Sequence, residues 1–271
     1  MKNIFKFISL AGLMFTLSSV SVNAANLANP NYEVKFMVDS SKILNSDGSL
    51  KSNAISDFDI TSSKNLNVQY LDTDNLDLNK NGWIVRFRKF NDDTSTELTY
   101  KKRYSITNGD IKSALKTAAN DGFDANEDNY SPQVDWGYSN ESLSFSNNKY
   151  FSLDDYSGLE LPNTSDSIDE AIENIPGKLN KFIYKGWAQN YLNSSTLHGP
   201  YLGTRYIGSF NGLKIELEIY NVRGTSISEI SFKEDDYSNA SQDRQALMNT
   251  LDSKGILIKS DDTKTGIMLG D

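Results

Sequence analysis

Apolar and charged residues alternate along much of the chain, most densely from Trp83 to Arg103. There, β-branched and aromatic side chains interleave with charged ones on either side of the turn-forming Asn91-Asp92-Asp93, which predicts strands over 83–90 and 97–104. Successive strand side chains point to opposite faces, so Arg86 and Arg88 share one face while Val85 and Phe87 belong to the other. Lys101 and Arg103 repeat the pattern. The same alternation predicts strands over 31–38, 66–71, 204–210, 213–220 and 226–233, with Asn211-Gly212 as a tight hairpin turn.

Helical spacing replaces alternation in three places. Ile111, Leu115 and Ala118 form a stripe after the capping candidates Asn108 and Asp110 and end near Gly122. Residues 165–184 resume the spacing, with a bend at Pro176-Gly177, and Ala240, Leu247 and Leu251 mark a third helix. A short helix is expected near 40–44. Residues 124–162 read as an irregular surface excursion with room for one hairpin, and the tail from Ser260 as loosely ordered. The lone histidine, His198, falls in a Gly-Pro context that reads as a surface loop.

Composition narrows the function classes. Lys2 and Lys6 precede an apolar, serine-broken run that ends at Val22-Asn23-Ala24, the pattern of a cleavable signal peptide over 1–24. Residues 25–271 then form a single domain in a secreted or periplasmic protein, with no membrane association after cleavage. The formal net charge of −9 disfavours nucleic acid and anionic surfaces as partners. The absence of cysteine excludes a disulfide framework and thiolate zinc sites, and one histidine cannot build a histidine-rich metal centre.

The strand-borne charges are Glu33, Lys35, Arg86, Arg88, Lys101, Arg103, Lys214, Glu216, Glu218, Glu229 and Lys233, with Arg205 as a further candidate. One reading is a solvated sheet face crossed by weak ion pairs. The other is a closed barrel with the charges inside. Clustered carboxylates then call for a hard divalent cation such as Mg²⁺ or Mn²⁺, and clustered Arg and Lys call for an anion. A polyphosphate with its metal satisfies both, bound by side chains because no glycine-rich phosphate loop is present.

Several motifs in sequence resemble those of the CYTH-like triphosphate tunnel metalloenzymes. They are Tyr32-Glu33-Val34-Lys35-Phe36, Tyr70-Leu71-Asp72-Thr73, Arg86-Phe87-Arg88-Lys89, Leu98-Thr99-Tyr100-Lys101, Glu216-Leu217-Glu218 and Glu229-Ile230-Ser231-Phe232-Lys233. The resemblance implies an α+β fold, an eight-stranded antiparallel β-barrel flanked by helices. It further implies hydrolysis of triphosphate-containing substrates, with a Mg²⁺ or Mn²⁺ cofactor. Glu33, Glu216, Glu218 and Glu229 are then the metal-ligand candidates, with Glu33 and Glu218 in catalytic roles. Lys35, Arg86, Arg88 and Lys101 would bind phosphate, joined by Arg103, Arg205, Lys214 and Lys233 on suitable faces. The metal would neutralise phosphate charge and orient a water for attack on a terminal phosphorus.

Two features depart from that pattern. Asn31 stands where the resembled opening motif has a glutamate, which takes one negative charge from the implied metal cluster. Secretion also removes the protein from most nucleoside triphosphates, which favours inorganic triphosphate or polyphosphate as ligand. The alternative is a secreted module that binds a phosphorylated or other anionic molecule in the tunnel without cleaving it.

Overall fold

The computed structural model describes residues 26–270; the expected signal peptide over 1–24 lies outside them. Among the described residues the strands are β1 (Asn31–Val38), β2 (Ser62–Asp72), β3 (Trp83–Phe90), β4 (Thr96–Ile106), β5 (Ser131–Trp136), β6 (Glu141–Phe151), β7 (Thr196–Phe210), β8 (Leu213–Val222) and β9 (Thr225–Glu234). They close into one barrel in the order β1-β5-β6-β4-β3-β2-β7-β8-β9, and β1 pairs with β9 to complete the ring. The helices are α1 (Ser40–Ile43), α2 (Ser52–Asp57), α3 (Asp77–Lys80), α4 (Ile111–Asn120), α5 (Thr164–Glu173), α6 (Gly177–Asn180), α7 (Trp187–Leu192), α8 (Tyr237–Ser253) and α9 (Lys264–Leu269). Among the described residues, no helix is long and apolar enough to cross a membrane.

The expected eight antiparallel strands are corrected to nine in a mixed barrel, because β1 and β5 run parallel. The additional staves come from 124–162, which is therefore not a surface excursion: β5 and β6 both belong to the wall. Pro132 and the acidic surroundings obscured β5. The proline costs the β1–β5 ladder nothing, since pairing with β1 begins one residue later, at Asn31 opposite Gln133. His198 is also corrected, from a surface loop to a position within β7, opposite Tyr70.

The barrel is apolar outside and charged within. Trp83, Phe87, Tyr100 and Phe145 face outward into a core closed by residues of α4, α5 and α7. Phe36, Leu217, Ile230 and Phe232 do the same beneath residues of α2 and α8. Burying these faces under helices supplies the hydrophobic stabilisation that a charged lumen cannot.

A third apolar cluster fills part of the lumen. Leu66, Val68, Tyr70, Tyr201, Tyr220 and Val222 pack with Met268 and Leu269 of α9. The tail expected to be loosely ordered is thus an internal plug. Thr263 caps α9, the Tyr201 hydroxyl donates to the Met268 carbonyl at 2.8 Å, and Arg223 donates to the carbonyls of Ile267 and Met268 at 3.3 and 3.2 Å.

Gly203 of β7 makes room for this packing. A Cβ there would lie 2.5 Å from Cδ1 of Tyr220 and 2.7 Å from the Ile219 carbonyl. Gly203→Ala is expected to destabilise the fold by about 1–3 kcal/mol, the usual cost of overpacking, seen as a drop in Tm of several degrees. Gly177→Ala, with open space at its Cβ position, is the control and is expected to leave Tm nearly unchanged. Equal Tm values for the two variants would contradict this packing.

Candidate functional site: a charged tunnel

The period of two that hides Trp83, Val85 and Phe87 under helices turns Arg86 and Arg88 into the lumen, where a cavity of about 750 Å³ runs along the barrel. Glu33, Lys35, Arg86, Arg88, Lys101, Arg103, Arg205, Glu216, Glu218, Glu229 and Lys233 all line it. Lys214 does not; it is largely exposed near the start of β8, 3.4 Å from Glu216. Lys233 is at the rim, with 62% of its side chain exposed. In the ring order, β3 and β4 lie across the lumen from β8 and β9, so a largely basic wall faces a largely acidic one.

On the basic wall, Glu97 accepts from Arg86 Nη2 at 2.8 Å and from Arg88 Nη2 at 3.0 Å. Arg86 also donates to Thr99. Burial alone would raise the Glu97 pKa, but Arg86 and Arg88 outweigh it and hold the carboxyl down to about 2. The pairing leaves donors over. Nε of Arg86, Arg88 and Arg103 is buried in each case without a hydrogen-bond partner among the described residues. Lys101, whose amine burial pulls down to about 8, lies 3.6 Å from Asp135.

The acidic side is built from two carboxylate pairs. Glu33 of β1 lies opposite Asp135 of β5, and Glu218 of β8 opposite Glu229 of β9. Like charges directly opposite on paired strands repel. Each pair has a lysine between its members. Lys35 Nζ is 2.6 Å from Glu33 and 2.8 Å from Asp135, and Gln133 donates to both carboxylates. Lys264 of α9 contacts Glu218 and lies 2.9 Å from Glu229. Arg205 Nε donates to Glu218 at 2.8 Å, the Tyr220 hydroxyl donates to it at 3.1 Å, and Arg205 Nη1 lies 3.1 Å from Glu216.

Burial opposes ionisation of Glu33, Asp135, Glu218, Lys35 and Lys264, and their charged partners decide the balance. Lys101 and Lys35 hold Asp135 well below the usual carboxylate range, and Lys35 lowers Glu33. Lys264 and Arg205 hold Glu218 low. In return, Asp135 and Glu33 raise Lys35, and Glu218 and Glu229 raise Lys264.

A divalent metal does not fit this donor set as it stands. No group of three or more acidic or histidine side chains among the described residues could hold one. Glu33 is committed to Lys35, Glu216 to Arg205, and Glu218 and Glu229 to Lys264. Each of the four glutamates expected to ligate a metal contacts a protein cation in this arrangement. Asn31 is at the Glu33 end of the cavity, and its buried Oδ1 lacks a hydrogen-bond partner among the described residues.

Three lumen residues escaped the reading of the sequence. Glu97 shares the alternate face of Thr99, Lys101 and Arg103, a signal that was present at the edge of the predicted strand. Asp135 alternates with Gln133 in β5, in the segment read as irregular. Lys264 sits in a tail with no strand periodicity, and nothing local announces it.

The barrel with its flanking helices has a counterpart among solved structures. HpAC1 from Hippeastrum, assigned as an adenylyl cyclase and described as having a dominant triphosphatase activity, aligns with a TM-score of 0.52 at 14% identity. The alignment covers 88% of this chain and 94% of that one. This chain has the CYTH-like tunnel fold. A Bacillus halodurans protein assigned as an adenylate cyclase aligns at a TM-score of 0.48 and 15% identity, over 87% of this chain and 95% of that one. No protein-family model matches the chain, and no curated protein matches it in sequence.

The charge pairing makes this CYTH-like lumen sensitive to acid. Glu97 ionises near 4.5 when unfolded and at about 2 when folded, so the unfolded chain takes up the proton first as pH falls. Its contribution to stability is complete above about pH 4.5 and gone by about pH 2. Tm is therefore expected to fall across that window. Glu97→Gln should be less stable at neutral pH and show a shallower acid slope; a slope as steep as that of the wild type would contradict the pairing.

Proposed function

We propose that the tunnel binds a triphosphate-type anion, inorganic triphosphate or polyphosphate, against Arg86, Arg88, Lys101 and Arg103. The observation that carries this reading is the set of buried guanidinium Nε donors without protein partners facing one cavity. A buried charged donor left unpaired is costly, and phosphate oxygens match the guanidinium fork. The cavity volume lies in the range usual for small-molecule sites. Export directed by residues 1–24 belongs to the same proposal and favours an inorganic ligand over a nucleotide.

Hydrolysis is the second reading. It is favoured by the carboxylates Glu33 and Glu218, which face the same cavity and are held ionised by their partners. The triphosphatase activity described for HpAC1 is in keeping with it. In this reading the basic wall would stabilise charge on the transferred phosphoryl oxygens, and Glu33 or Glu218 would orient the attacking water. No step is assigned to a metal, because the carboxylates are already paired.

Arg103 gives the cleanest test, since it forms no ion pair among the described residues and its loss breaks no salt bridge. Calorimetric titration with inorganic tripolyphosphate should show saturable binding. Arg103→Gln should weaken it by the worth of a charge-assisted hydrogen bond, about 1.5–3 kcal/mol or roughly 10- to 100-fold. Absence of binding, or unchanged affinity in the variant, would contradict the proposal. Phosphate release from the same ligand, measured with Mg²⁺, Mn²⁺ and EDTA, separates the readings. Turnover lost in Glu33→Gln or Glu218→Gln supports hydrolysis, and binding without turnover leaves the binding module.

A further inference from the structure

The two lysine-bridged carboxylate pairs differ in where the lysine comes from. Lys35 is two residues from Glu33 on β1, so the strand itself delivers it to the lumen. Lys264 lies 35 residues beyond Glu229 in sequence, on a separate helix. It arrives because α9 is anchored inside the barrel: Met268 and Leu269 join the apolar cluster, Tyr201 and Arg223 bind its carbonyls, and the Thr263 side chain caps its first turn. This delivery places one ammonium group against both members of a buried pair. The Glu218 side chain is 6% exposed and the Glu229 side chain 10%.

Glu218 and Glu229 face each other across β8 and β9, with Glu216 two positions away on the same face. Without Lys264, those oxygen ligands would make a vacant, strongly negative seat of the kind that hard divalent cations occupy. With Lys264 present, the seat already holds a positive charge, donated by a group that does not dissociate.

We infer that Lys264 is the resident cation of the tunnel: its ammonium fills the seat between Glu218 and Glu229 that a divalent metal would need, and the tunnel takes its anion without one. Only the second clause rests on the proposed anion-binding function. Substituting a protein ammonium for a metal changes what the site depends on, making the acidic wall indifferent to chelators and to the supply of divalent ions.

The test of the first clause uses Mn²⁺ alone, followed by electron paramagnetic resonance with no phosphate present. Wild type and Lys264→Arg are expected to show no saturable Mn²⁺ site. Lys264→Gln should gain one, and the double variant Lys264→Gln/Glu218→Gln should lose it. Lys264→Gln should also have a lower Tm, because it leaves two buried carboxylates opposed, and Mn²⁺ should restore part of that loss while leaving the wild-type Tm unchanged. A saturable Mn²⁺ site in the wild type that disappears in Glu218→Gln would overturn the inference. So would a folded Lys264→Gln variant that gains no site. Should Lys264→Gln not fold, the wild-type titration decides the matter, since presence of that site overturns the inference and its absence supports it.

Tripolyphosphate titration with and without EDTA tests the second clause, with affinities expected to agree within about twofold, a difference of about 0.4 kcal/mol. Binding that EDTA abolishes overturns the inference. Binding absent in both conditions overturns the anion-binding proposal and leaves the Mn²⁺ result to judge Lys264.

Discussion

Two carboxylates facing each other across paired strands repel, and the lumen contains that arrangement twice, in Glu33 with Asp135 and in Glu218 with Glu229. The barrel depends on how the repulsion is relieved. Lys35 relieves it from within the wall, and Lys264 relieves it from the end of the chain. The apolar plug of Met268 and Leu269 is thus more than packing, because it fixes the helix that carries the second ammonium into place. Buried ion pairs are costly to assemble and damaging to break singly. This lumen tolerates them because its outer faces bury large aromatic side chains beneath helices.

The two walls are unequal in what they leave unfinished. On the acidic wall, lysines and Arg205 are shared among the carboxylates. On the basic wall a single carboxylate, Glu97, serves two arginines, and Arg103 has no ion pair among the described residues. The surplus of donors is therefore local, although the protein as a whole is acidic. An overall charge of −9 would repel an anion approaching the surface at large, so binding falls to the lumen, where low dielectric and fixed guanidinium groups strengthen the attraction. The CYTH-like fold supplies the enclosure, and the pairing pattern supplies the chemistry.

Much of this was legible in the sequence because strand periodicity is a local signal. The alternation in 31–38, 83–90 and 213–220 identified strands and put Glu33, Lys35, Arg86, Arg88, Glu216 and Glu218 on one face each. Closure was the ambiguous step: the same alternation suits a wet sheet, and only the ring of strand pairings decides for a lumen. What was missed was either masked or non-local. Pro132 disguised β5 and with it Asp135. Lys264 owes its place to the packing of α9 against residues from β2, β7 and β8, which no window around position 264 contains. The pairing of Glu218 and Glu229 with an ammonium group was hidden for the same reason, since Lys264 comes from the tail.

The most direct measurement is a crystal structure of the protein with inorganic tripolyphosphate, grown with Mn²⁺ present. The account predicts phosphate oxygens within hydrogen-bond reach of Nε of Arg86, Arg88 and Arg103, and Lys264 still between Glu218 and Glu229 with no metal peak at that position. Phosphates bound outside the lumen, or Mn²⁺ between those two carboxylates with Lys264 displaced, would contradict it.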